Sequence, residues 1–173
     1  MNEWETYHIT FAKTNPKAII PTKEDGDAGW DVYACIDHDY TIAPLTTRLI
    51  PTGIAYEITE GWHLIAFERG STAKISIKRS AGICDNIFRG QIQAFLYNGN
   101  ADKTVILSLN EEATKQRIIK KYEKYLRKKY GEEYRGFNEQ KFLDRYIIYP
   151  VSKAIIQLVP VYSPNGTSSE KPY

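Results

Sequence analysis

Residues 40–67 read YTIAPLTTRLIPTGIAYEITEGWHLIAF, and this stretch decides the fold class. Short runs rich in β-branched and aromatic residues are separated by turn residues at Pro44, at Pro51-Thr52-Gly53 and at Glu60-Gly61. Such runs are typical of strands. Turn signals recur about every 8–12 residues from residue 7 to residue 98. No predicted helices alternate with the strands in this part of the chain. The sequence therefore predicts a mainly β domain, built as a barrel or a sandwich.

The β pattern continues on both sides of this stretch. Tyr7–Phe11, Trp30–Ala34 and Ala154–Val161 are predicted strands. Asp31 stands among large apolar residues, where an acid either faces solvent or is fixed by hydrogen bonds. Gln157 lies inside the last apolar run, where a buried amide needs partners. Its side chain therefore either ties backbone segments together or faces a ligand.

Residues 101–149 interrupt the β pattern and predict a helical hairpin inserted into a single domain of residues 1–173. Asn110 is a suitable N-cap for a helix ending near Gly131. Apolar residues recur at three- and four-residue steps along it, and they are Ile118, Ile119, Tyr122, Tyr125, Leu126 and Tyr130. A second helix is predicted from Asn138 through Phe142, Leu143 and Tyr146. The basic opposite face of the first helix either is solvated or binds nucleic acid or an acidic partner, and the sequence leaves both open.

Composition favours a cytosolic protein outside the membrane. The 173 residues carry a formal net charge of +2, too small to indicate nucleic-acid binding by itself. The two cysteines form no disulfide framework or CxxC pair. No apolar run approaches the roughly 20 residues of a membrane span, and the acidic start, MNEWETYHITF, does not resemble a signal peptide.

Residues 68–98 contain the candidate chemistry. Asp85 lies in a predicted turn between two apolar runs, where a carboxylate can act as a general base. Arg69, Gly70, Ser71 and Lys74 offer cations, a hydroxyl and backbone N–H groups that suit phosphate oxygens. Neither a Walker A motif nor GxGxxG is present, and the three histidines lack the spacing of zinc ligands. The residues alone thus indicate a β domain with a candidate phosphate site, and a purely structural role of the Asp85 turn and of the Arg69 segment stays open.

Four stretches, in the family's order, make the chain resemble the homotrimeric dUTPases (dUTP pyrophosphatases) of bacteriophage and bacterial style. They are Asp27–Ala34 (DAGWDVYA), Glu68–Lys74 (ERGSTAK), Ala81–Ile92 (AGICDNIFRGQI) and Lys153–Leu158 (KAIIQL). The similarity covers about residues 7–100 and 150–162. It implies a distorted jelly-roll β-barrel, hydrolysis of dUTP to dUMP and pyrophosphate, and a homotrimer.

The resemblance also implies roles for individual residues. Asp85 matches the carboxylate that activates water for attack on the α-phosphorus, and Phe88 matches an aromatic residue that packs on the deoxyribose and excludes a 2′-hydroxyl. Asp31 matches an acid near the water shell of Mg²⁺, which is expected to bind mainly through the substrate phosphates and not in a protein metal site. The other expected substrate-binding residues, for phosphates, uracil and the lining of the site, are Arg69, Gly70, Ser71, Lys74, Gly82, Ile83 and Gln157.

Two departures from the family pattern keep other functions open. The C-terminal fifth motif is reduced to at most a remnant at residues 165–169, and the helical insertion is extra. A non-catalytic nucleotide-binding or regulatory protein, with the insertion as its partner surface, is the alternative to an enzyme. A dCTP deaminase needs a glutamate ten residues after the matching aspartate, but position 95 is Phe95, which cannot transfer protons.

Overall fold

The strands of the chain are short and pack into a jelly-roll-like β-barrel, and the computed structural model describes residues 6–163 of it. The strands are β1 (Ile9–Lys13), β2 (Trp30–Val32), β3 (Tyr40–Ile42), β4 (Thr47–Pro51), β5 (Ile54–Ile58), β6 (Trp62–Glu68), β7 (Ile77–Arg79), β8 (Ile83–Cys84), β9 (Gln93–Asn98), β10 (Thr104–Ser108), β11 (Tyr146–Pro150) and β12 (Ile156–Tyr162). The helices are α1 (Gly70–Ala73), α2 (Glu111–Tyr130) and α3 (Glu139–Leu143). The predicted mainly β fold is confirmed.

Four small sheets form the barrel. Their strand orders are β1-β5, β4-β9-β7, β2-β12-β6-β8 and β11-β10-β3. All pairs are antiparallel except β10 with β11, which run parallel. Inward-facing side chains of different sheets meet in one apolar core, and Ile42, Ile50, Ile54, Leu64 and Leu158 in it are fully buried. Alternation of such residues with exposed ones is what made these strands readable from sequence.

The helical segment begins where the sequence predicted it. The Asn110 side chain accepts a hydrogen bond from the Ala113 N–H, and α2 ends at Gly131, which has a φ of +97°. The predicted second helix was too long, because Tyr146 opens β11 instead. Residues 146–150 read YIIYP, and this β-branched and aromatic run pairs with β10. The inserted helical segment is therefore shorter than the predicted 101–149, because the strands on either side of it, β10 and β11, belong to a barrel sheet.

The apolar face of α2 is shorter than predicted. Ile119 and Leu126 are buried against the rest of the chain. Tyr125 and Tyr130, expected on the same face, are 53% and 57% exposed, and the Lys129 ammonium lies over both rings. None of the helices between residues 6 and 163 has the length and apolar character that a membrane crossing demands.

Asp39 joins α2 to the barrel. Its carboxylate accepts hydrogen bonds from the Leu109 N–H (3.0 Å), the Thr114 hydroxyl and the Arg117 guanidinium. Only 9% of the Asp39 side chain is exposed. Burial by itself raises the pKa of Asp39, but the hydrogen bonds from Thr114, Leu109 and Arg117 outweigh it and hold the pKa below its ordinary value.

Replacing Asp39 by alanine is expected to lower the free energy of unfolding by about 2–3 kcal/mol at pH 7, because three donors lose their acceptor. A depressed carboxylate pKa stabilises the fold above the ordinary value of 3.8, and this contribution is lost as the pH falls through the lower folded-state pKa. The difference between the two chains should therefore shrink near pH 3. Urea unfolding at both pH values measures it. Asp37→Ala, at an exposed acid paired with His38, is the control; an equal loss in that variant would contradict the assignment.

Candidate active site

The turn that carries Asp85 is clamped through its backbone and not through its side chain. The Asp85 carbonyl accepts hydrogen bonds from the Phe88 N–H (3.0 Å) and from the Tyr56 hydroxyl (2.5 Å). Asp85 itself is exposed. Its carboxylate makes no hydrogen bond or ion pair within residues 6–163. A carboxylate on a fixed backbone with free oxygens is suited to accept a proton from water.

Asn86 secures the other side of this turn, a role that sequence reasoning missed. Its side-chain amide donates to the carbonyls of Ile58 (3.0 Å), Thr59 (2.9 Å) and Trp62 (3.0 Å). Its backbone N–H donates to Nδ1 of His63 at 3.2 Å. The turn is thereby attached to the loop that joins β5 to β6. An Asp-Asn pair in a turn is too common for the sequence to reveal these partners.

Replacing Asn86 by alanine is expected to cost about 2 kcal/mol of unfolding free energy, because the amide donors to three carbonyls are lost. The turn should also loosen, so its amide hydrogens should exchange faster even where the variant remains folded. Denaturant unfolding and amide hydrogen exchange across residues 83–88 measure the two effects. The neighbouring Ile87, 83% exposed, provides the control variant Ile87→Ala. Equal unfolding free energies for the two variants would refute the role of Asn86.

Two glycines shape the hairpin that contains Asp85. A Cβ at Gly82 would lie 2.8 Å from the Ala66 carbonyl oxygen, so only glycine allows this close pairing with β6. A Cβ at Gly90 would lie 2.8 Å from the Phe88 ring, which folds back over this residue. Phe88 remains 41% exposed, and Ile83 is 76% exposed. The hairpin thus presents apolar side chains and backbone groups to its surroundings, as a surface for a flat ligand or a second chain requires.

The Cys84 thiol next to Asp85 is not a nucleophile. Burial, reinforced by the Asp85 charge, raises the pKa of Cys84 to about 11. The thiol stays protonated at neutral pH, and the thiolate is the reactive form. Among the side chains of this turn, Asp85 is therefore the group available for proton transfer.

The second half of the site lies at the C-terminal end of β6. Arg69 Nη1 lies 2.7 Å from Asp31 Oδ1, so the guanidinium and the carboxylate form an ion pair. Asp31 Oδ1 is itself buried. The pKa of Asp31 is raised, chiefly by burial. The charge of Arg69 lowers it, and the negative charges of Asp27 and Glu24 raise it further. Sequence reasoning identified both residues but not their pairing.

A single helical turn, α1, presents the predicted phosphate residues. Gly70 and Ser71 are its first two residues and follow Arg69. The Arg69 N–H donates a hydrogen bond to the Thr72 hydroxyl oxygen at 3.1 Å. No helix was predicted for this segment, because four residues carry no helical periodicity. Lys74 caps the turn and is exposed. Its side chain makes no hydrogen bond or ion pair to the Arg69 group within residues 6–163.

Gln157 and Tyr149 complete this half. Gln157 is the strand partner of Asp31, and its amide donates to the Glu68 carbonyl at 3.3 Å, so it does tie backbone segments together. Tyr149 of β11 hydrogen-bonds the Ser71 hydroxyl at 2.9 Å. No motif pointed to Tyr149, because its contact with Ser71 depends on folding residues 78 positions apart against each other. The candidate fifth motif at residues 165–169 lies outside the described residues.

The two halves lie apart within one chain, although their closeness in sequence predicted one site in residues 68–98. Leu64 of β6 pairs with Cys84, whereas Arg69 follows the last residue of the same strand. Five strand residues separate these points, which corresponds to roughly 16 Å. Asp85 therefore lies at one end of β6 and the Arg69 group at the other. Within one protomer, a small ligand can therefore contact either the base Asp85 or the phosphate-binding residues around Arg69, but not both.

Comparison with known proteins identifies relatives of this chain. A family model described as dUTPase matches residues 15–113. A deoxyuridine 5′-triphosphate nucleotidohydrolase of Solibacter usitatus is 31% identical over 121 residues, which are 66% of this chain and 80% of the relative. One of Picosynechococcus is 37% identical over 95 residues, 53% of this chain and 66% of the relative.

Solved structures show the same fold. EIAV dUTPase superposes with a TM-score of 0.58 at 18% identity, over 96% of each chain. A Staphylococcus bacteriophage 80alpha dUTPase with dUpNHpp superposes with a TM-score of 0.61 at 14% identity, over 96% of this chain and 88% of that one. Since the family model spans more than half of the sequence and a relative above 30% identity is matched over most of its length, the chain belongs to the dUTPase family.

Proposed function

We propose that this chain hydrolyses dUTP to dUMP and pyrophosphate. The observation that carries the proposal is the Asp85 turn, in which Tyr56 and Asn86 hold the backbone and leave the carboxylate free. A general base of this kind takes a proton from water as its oxygen attacks the α-phosphorus. Membership of the dUTPase family and the names of the relatives support dUTP as the substrate.

We assign the deoxyribose and the uracil to the hairpin, and the phosphates to the C-terminal end of β6. Phe88 provides an exposed ring for the deoxyribose, and the backbone around Gly82 and Ile83 is available to uracil. Arg69 supplies a guanidinium to the phosphates, and Gly70 permits close backbone approach. Ser71 and Lys74 are assigned to the phosphates, and Gln157 to the lining of the site. Each of these roles is the one that the family pattern assigns to the matching residue.

Magnesium fits this site through its substrate. Within residues 6–163 no three His, Cys, Asp or Glu side chains are grouped to hold a metal ion. The Asp31 carboxylate, paired with Arg69 through Oδ1, is the group that would accept a water of the ion's shell. Mg²⁺ retains several waters and binds phosphate oxygens, and when bound it offsets the triphosphate charge. Free Cys35 and Cys84 fit the cytosolic location that we also propose.

A complete site requires more than one copy of the chain. Because Asp85 and Arg69 stand at opposite ends of β6, the base of one protomer and the phosphate residues of another would be combined. The exposed Ile83 and Ile87 of the hairpin offer apolar area for such a contact. A homotrimer closes this arrangement with equivalent sites. Mass measurement in solution tests the stoichiometry, and a monomer that is active at all concentrations would contradict it.

The substrate is tested by pyrophosphate release with dUTP, dTTP, dCTP and UTP in the presence of Mg²⁺. Release from dUTP alone is expected, because the Phe88 surface excludes a 2′-hydroxyl and the hairpin backbone reads the base. Comparable release from UTP would contradict the role of Phe88. No release from any of the four would contradict the proposed function.

A further inference from the structure

The phenol of Tyr149 stands between two oxygen atoms. Its oxygen lies 2.8 Å from the Ala154 carbonyl oxygen and 2.9 Å from the Ser71 hydroxyl oxygen. Tyr149 is 5% exposed, whereas Ser71 is exposed. A phenol carries one proton, so Tyr149 can donate to only one of these neighbours at a time.

The Ala154 carbonyl determines where that proton points. Ala154 is 7% exposed, and no backbone N–H within residues 6–163 donates to its carbonyl. A buried carbonyl without a donor is costly, and a carbonyl can only accept. Tyr149 therefore donates to Ala154. It follows that Ser71 donates its own proton to Tyr149.

This arrangement commits the single Ser71 proton to the protein interior. Phosphate oxygens at pH 7 are acceptors, so they need a donor. Ser71 cannot donate to them while it donates to Tyr149, and its oxygen faces the site only as an acceptor. We propose that Tyr149 is a positioning residue that withholds the Ser71 proton from the triphosphate and so weakens dUTP binding. The inference rests on the proposed function, since it assigns a role within that site.

Affinity for dUTP, measured by calorimetry with Mg²⁺ in the Asp85→Asn background to prevent turnover, tests the inference. Adding Tyr149→Phe is expected to tighten binding about 5-fold, because one more hydrogen bond reaches the phosphates. Adding Ser71→Ala should remove this gain in the Tyr149→Phe background, because alanine has no hydroxyl proton to donate to the phosphates. In the chain with Asp85, Tyr149→Phe should lower KM with no rise in kcat.

Tyr146→Phe, on the same strand and at a tyrosine whose hydroxyl has no hydrogen bond within the described residues, is the matched control and should leave affinity unchanged. An equal effect of Ser71→Ala in both backgrounds overturns the inference alone. So does a loss of about 10-fold or more from Ser71→Ala with Tyr149 present, a result that does not depend on the Tyr149→Phe chain folding. Absence of dUTP binding in every variant overturns the proposed function and the inference together.

Discussion

Replacing Asp85 by asparagine is expected to reduce dUTP hydrolysis by about 10²–10⁴-fold while dUTP still binds. The amide has nearly the shape of the carboxylate but cannot take a proton from water. The turn should keep its conformation, because Tyr56, Phe88 and Asn86 hold it through backbone atoms and the Asn86 amide. Pyrophosphate release measures the first effect, and calorimetry with dUTP measures the second.

The control for this experiment is Asp37→Asn, at an exposed acid that is not part of the hairpin. That variant should hydrolyse dUTP at the unmodified rate, which shows that loss of a surface charge is not the cause. Hydrolysis by the Asp85→Asn chain within about threefold of the original would mean that another group activates the water.

Mixing two inactive chains is expected to restore hydrolysis. An Asp85→Asn chain retains the phosphate end of β6, and an Arg69→Ala chain retains the base. If each site takes its base from one protomer and its phosphate residues from another, random mixed oligomers contain about one quarter intact sites. Co-refolding the chains at equal amounts should therefore raise activity from near zero to about a quarter of that of the unmodified protein.

The matched control mixes Asp85→Asn with Asp85→Ala chains, which together contain no intact base and should recover nothing. Mass analysis of the refolded sample confirms that mixed oligomers formed. Mixed oligomers without recovered activity would show that both functions act within one protomer, against the separation along β6.

Local signals made much of this molecule predictable. Alternating side chains identified the strands, and the Asn110 cap identified the start of α2, because both depend on residues near in sequence. Asp85 was correctly placed in a turn. The one-turn helix α1 escaped because a four-residue element has no period to detect. Tyr146 was assigned to a helix because its spacing from Phe142 fits one, whereas pairing with β10 decides its conformation.

The arrangement of the site depended on contacts that sequence spacing does not encode. Asp31 meets Arg69 through the pairing of β2 and β6 with β12, and Ser71 meets Tyr149 across the whole helical segment. The register of β6 with β8 then separates Asp85 from both. Proximity in sequence between residues 69 and 85 suggested the opposite. Strand register, and not motif order, sets how far apart these groups lie in one chain.

The helical segment is the crossover connection that the parallel pairing of β10 with β11 requires. Two strands running in the same direction cannot be joined by a tight turn, because the chain must return along their full length. For five residues that return is about 16 Å. The path through α2 and α3 makes this return, and Asp39 fastens its start to the barrel. The segment can therefore change in length and surface, but closing Ser108 directly onto Tyr146 would break the sheet.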